Sequence, residues 1–149
     1  MIIFSQMVKS INKQDFTKPA FFALVIIFII LLTFFIYPDM DEKRVYFPII
    51  AILGITFLAL GIILIILARK EKGELRTFLM LTGISATAPF VFSILHNIFY
   101  ALAITFDKIS PLFEALHVIS FITSLVIAPI LFIIGAVGSI ILFSQQNKQ

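Results

Sequence analysis

Residues 19–38, "PAFFALVIIFIILLTFFIYP", carry no charge at all; two further charge-free runs of at least that length follow at 45–68 and about 77–106, and a fourth apolar run, 111–143, carries a single charge, Glu114, near its start. A hydrocarbon core about 30 Å thick is crossed by about 20 apolar helical residues. Backbone in such a medium must satisfy its own hydrogen bonds, which α-helices do within one segment. The four runs therefore predict four antiparallel transmembrane helices, an all-α integral membrane four-helix bundle formed by one domain over residues 1–149. Composition agrees: 61% of the residues are hydrophobic and 13% charged, and the mean hydropathy is +1.16. The third and fourth runs exceed what the core requires, so they must tilt, kink or project, and Pro89 and Pro129 mark the kink sites.

Basic residues near span ends resist translocation, which sets the orientation. Lys9, Lys13, Lys18, Arg69, Lys70, Lys72, Arg76 and Lys148 fall on one side, against Lys43, Arg44 and Lys108 on the other. Both termini are thus predicted to be cytoplasmic, in a multi-pass protein of the cell membrane. The net charge of +3 reads as membrane topology, with the lipid bilayer and its anionic headgroups as partner rather than nucleic acid. Run one is longer than a signal-peptide core and no small-x-small pattern follows it, so it is expected to be retained. There is no cysteine, which excludes a disulfide framework and the thiol relays of four-helix membrane oxidoreductases.

Residues 1–18 read as an interfacial helix and turn. Ile3, Phe4, Met7, Val8 and Ile11 fall at helical spacing, with Ser5, Gln6, Lys9, Asn12 and Lys13 between them. Span one shows no polar face, and its surface is expected to meet lipid. Span two repeats Gly54, Gly61 and Ala68 seven apart, a stripe that lets a neighbouring helix come close.

Spans three and four are of another kind. Thr82, Ala86, Pro89, Ser93, His96, Asn97 and Tyr100 recur at steps of three or four, as do Glu114, His117, Ser120, Ser124, Ala128, Gly135 and Gly138 or Ser139. Polar groups in hydrocarbon are costly unless paired, so the two stripes should face each other or a common interior.

The two histidines lie near the outer mouth, within about one helical turn of the same depth, and three readings compete for them. Glu114 and His117 form an i, i+3 pair, and His96 from the neighbouring helix would complete a set suited to a divalent metal ion such as zinc or ferrous iron. Haem ligation would need the helices spread beyond the usual 8–10 Å packing distance, against so short a loop. In the structural reading Ser110 caps the fourth helix, Pro111 takes its first position and Glu114 sits in its first turn, where the dipole favours an anion. Tyr100 then anchors at the interface, while His96, Asn97 and His117 hydrogen-bond between helices.

No Gly-rich phosphate loop, HExxH or nucleic-acid motif occurs. "GISA" at 83–86 resembles the GxSG of rhomboid proteases, but its last position is Ala86 and Ser85 lies about 16 Å along the helix from His96. Residues 81–102 and 128–143, "LTGISATAPFVFSILHNIFYAL" and "APILFIIGAVGSIILF", resemble small four-span membrane proteins of prokaryotes, a family that offers no established activity to transfer. The residues point first to a non-enzymatic subunit, scaffold or small binding module. The alternatives are a metal-binding protein or metal-dependent enzyme using His96, Glu114 and His117, and an oligomeric transporter or channel component. Self-association or other membrane subunits are the expected protein partners.

Overall fold

The computed structural model describes residues 16–36 and 40–146. The amphipathic stretch predicted at the N-terminus lies outside them through residue 15, as does Lys148. Every element among the described residues is helical: α1 (Thr17–Ile36), α2 (Met40–Ala68), α3 (Gly73–Thr105), a 3-10 turn (Asp107–Ile109), α4 (Ser110–Ile122), a π-helical turn (Thr123–Ile127) and α5 (Ala128–Gln146). Four stretches are long and apolar enough to cross a membrane: α1, Phe47–Ala68 of α2, α3, and the continuous run Asp107–Gln146.

The predicted spans are all present, with two boundary differences. Helix α2 begins at Met40, so the charged run expected as a loop continues the helix beyond the apolar span. The fourth span is not one α-helix, because Pro129 has no N–H for the carbonyl of Leu125 and its ring crowds that carbonyl. The backbone widens there, and the Ala128 N–H reaches the Thr123 carbonyl five residues back.

Helix α3 is the centre of the molecule, packed against α2, α4 and α5, while α1 rests on α2. The glycine stripe of α2 explains one of these approaches. A Cβ on Gly61 would stand 3.2 Å from the Gly83 carbonyl, and one on Gly83 would stand 3.0 Å from the Gly61 carbonyl, so the two backbones touch. On the other side of α3, a Cβ on Gly135 would lie 2.6 Å from Thr82 Oγ1, and one on Gly138 would overlap the Phe78 ring. With no water to expel from lipid, such close packing supplies much of the attraction between helices.

Phenylalanines close the remaining gap between α1 and the rest. Phe28 stacks on Phe132 at 4.2 Å between ring centroids, Phe57 lies 5.5 Å from Phe132, and Phe21 meets Phe143 edge-on at 5.5 Å. These rings join Leu24, Leu64, Leu79 and Ala86 in one buried core. Thr17 donates to a Glu71 carboxylate oxygen at 3.3 Å, and Lys18 Nζ lies 5.2 Å from the centre of the Phe143 ring. One end of α1, the α2–α3 loop and the end of α5 therefore share a level. The outward surfaces are dominated by exposed Ile, Leu, Val and Phe, from Ile26 and Ile29 on α1 to Ile141 on α5, a surface matched to lipid and far beyond the apolar patches that water-exposed proteins carry.

Candidate functional site

The two polar stripes meet where the helices are broken. Pro89 interrupts the hydrogen-bond ladder of α3, and the π-turn of the fourth span lies beside it. Ser124, inside that turn, donates its hydroxyl to the Pro89 carbonyl at 3.1 Å. Since that proton is committed, Ser93 Oγ, 3.2 Å away, must be the donor to Ser124 Oγ. The π-turn makes this placement workable. Ser120, Ser124, Ala128 and Phe132 are spaced by four, which drifts around an α-helix at 3.6 residues per turn, and the wider turn brings them back to one face. Ser120, Ala128 and Phe132 are all buried.

One turn farther along, the histidines pair. Their rings stack with centroids 4.0 Å apart and planes 24° apart. His96 Nδ1 is 3.3 Å from the backbone carbonyl of His117, and His117 Nδ1 is 3.3 Å from that of His96. A carbonyl can only accept, so each Nδ1 carries a proton and donates it across the interface. In the neutral rings the lone pair then sits on Nε2, which bonds to no described residue. Phe121 flanks His96 at 5.4 Å between centroids and Tyr100 flanks His117 at 5.3 Å.

Beyond His117 is a pocket of about 120 Å³ lined by Tyr100, Ala103, Ile104, Ser110, Glu114 and His117. It divides the predicted metal set: Glu114 and His117 face one space, and His96 lies across the stack from it. Among the described residues no three His, Asp or Glu side chains are placed to hold an ion. Each Nδ1 is turned toward the opposite backbone, and His96 does not line the pocket that Glu114 and His117 share.

Two local assignments change. Ser110 does not cap α4; the N-cap is Ile109, without a side-chain hydrogen bond, and Ser110 is already helical. The 3-10 turn is the reason, since the Ile109 N–H bonds to the Phe106 carbonyl and winds the chain into the helix one residue early. Glu114 consequently leaves the first turn, which holds no acidic residue, and becomes a pocket wall. Asn97 also differs from expectation: Nδ2 donates to the Ser93 carbonyl of its own helix at 2.7 Å, not across to α4. Thr82 is buried and bonds the Phe78 carbonyl at 2.8 Å, so it shapes the seat of Gly135 and takes no part in the histidine cluster.

The Pro89 carbonyl is a member of the polar seam that side-chain patterning does not display. The N–H that Pro89 lacks would have gone to the Ser85 carbonyl, so the proline does not itself mark its own carbonyl as the acceptor that Ser124 uses. Comparison with protein families, with characterised proteins and with solved structures gave no match to this chain, so its functional reading rests on this geometry.

Proposed function

We propose that the chain is a non-catalytic subunit or scaffold of the cell membrane, with both termini cytoplasmic and the α3–α4 hairpin clamped by its histidines. The supporting observation is the reciprocal pair of imidazole-to-carbonyl bonds. Each ring spends its Nδ1 on holding one helix to the other. Ser93 and Ser124 are spent in the same way. Eight of the chain's 11 basic residues lie on the side of the termini and the α2–α3 loop, which supports the orientation.

The test is made on chain purified in detergent and returned to lipid nanodiscs. Expected are no turnover of phospholipid or peptide ester substrates and no change in that null on His117→Ala. Hydrolysis that His117→Ala abolishes would overturn the reading.

A second reading, a divalent-metal protein, has one observation in its favour: Glu114 and His117 line the same pocket with Tyr100 and Ser110. Neutral His117 would offer Nε2 and Glu114 a carboxylate, leaving other ligands to water. Stoichiometric zinc or iron that survives dialysis and is lost on His117→Ala or Glu114→Gln would establish it.

A further inference from the structure

At the opposite end of the bundle from the histidines, a groove of about 570 Å³ runs along α3, lined by Gly73, Arg76, Thr77, Met80, Leu81 and Ile84. These positions form one helical stripe, with its polar members at the start and its apolar members beyond. The mouth holds donors without acceptors. Arg76 is exposed, and its guanidinium pairs with no described residue. Thr77 is unlike every other described threonine: Thr17 donates to Glu71, and Thr33, Thr56, Thr82, Thr87, Thr105 and Thr123 each donate to a carbonyl three or four residues back. Thr77 makes no such bond. The helix start adds to the deficit, because its N-cap, Lys72, supplies no side-chain cap to the first-turn N–H groups. A Cβ on Gly73 would meet nothing within 4 Å, so the mouth is open. Glu74 lies in the same first turn but does not line the groove.

From Thr77 the stripe continues through Met80, Leu81 and Ile84 for about 10 Å into the membrane-spanning length of α3. An occupant must be anionic at one end and apolar along the next several ångströms. We infer that the groove holds one anionic phospholipid, its phosphate on Arg76 and Thr77 and an acyl chain along Met80, Leu81 and Ile84. A bare phosphate would satisfy the mouth and leave the apolar stripe unused; a zwitterionic lipid would fill the stripe but bring a choline or ethanolamine cation to a mouth whose one charged lining residue is Arg76. The site needs only that α3 spans the membrane, so it stands whether the bundle is a scaffold or a metal protein.

The test is native mass spectrometry of the full chain released from nanodiscs of equal phosphatidylglycerol and phosphatidylcholine with matched acyl chains. One phosphatidylglycerol is expected to stay bound in preference to phosphatidylcholine. Arg76→Gln should lower that retention about five-fold, the factor for one basic group at an anionic surface. Arg69→Gln, outside the groove, should leave it unchanged. Ile84→Trp, at a half-exposed position where folding is not at stake, should lower retention by filling the stripe while the charge stays the same. Equal retention of the two lipids would overturn the proposal, as would equal losses from Arg69→Gln and Arg76→Gln, which mean diffuse attraction. Displacement of the lipid by millimolar inorganic phosphate would overturn it in favour of a phosphate site.

Discussion

His96 and His117 each donate to a carbonyl that helical N–H groups already use, so removing one ring leaves that carbonyl satisfied within its own helix. Each bond should therefore be worth little, and because its acceptor is a backbone carbonyl that no ring substitution removes, the two should be nearly independent. His96→Phe and His117→Phe are each expected to cost about 1 kcal/mol and to add within about 0.5 kcal/mol in a double-mutant cycle, measured by denaturant unfolding in detergent. No cost for either substitution would mean that the rings only fill space. Glycines offer a sharper contrast. Gly135→Ala drives a Cβ to 2.6 Å from Thr82 Oγ1 and 2.8 Å from its backbone N, whereas Gly54→Ala meets only the tip of the Phe90 ring at 3.5 Å. The first should cost about 1–3 kcal/mol as overpacking and the second almost nothing in the same assay. At this scale the sequence made the shared depth of the histidines legible by counting residues. Their reciprocal bonding was not, since it depends on the rotation of α3 against α4, and the roles of Ser110 and Glu114 turned on one residue of 3-10 winding.

The fourth span shows what an element can hide. Pro129 signals a break, but whether a proline produces a bend or a π-turn depends on what faces it. Here Ser124 must reach Pro89 and Ser93 on α3 while Phe132 stays in the core, and only the wider turn does both. The run of four-residue spacings from Ser120 to Phe132 is a trace of this in the sequence, readable once the partner helix is known. The chain has no cysteine, so a pair placed at Ser93 and Ser124 is its only thiol pair. Ser93→Cys with Ser124→Cys should cross-link under mild oxidation, since the native oxygens lie 3.2 Å apart. Adding Pro129→Ala should restore α-helical winding and lower the yield severalfold, read on a non-reducing gel. An unchanged yield would show that packing against α3, not the proline, holds the π-turn.

At the scale of the whole molecule, four spans were legible because charge-free length is a direct requirement of lipid, and the facing of the polar stripes followed from the cost of polar groups in hydrocarbon. The start of α2 at Met40 was not legible, because charged residues end a membrane span without ending a helix. Single cysteines at Lys72 and Lys108 should react with a membrane-impermeant thiol reagent from opposite faces and, if the proposed orientation holds, the one at Lys108 from outside in intact cells and the one at Lys72 only after lysis. Labelling from the same face would remove a span. Helices α1 and α3 start at the same end, yet α3 has 33 residues and α1 only 20, so α3 outruns it by about 20 Å. The breaks at Pro89 and at Thr123–Ile127 lie side by side, about one turn short of where α1 runs out. Paired breaks at one depth make a joint, and the hairpin beyond it is a lever: as the surrounding bilayer thins or thickens, the lever can change its lean while the phenylalanine-packed half keeps its shape.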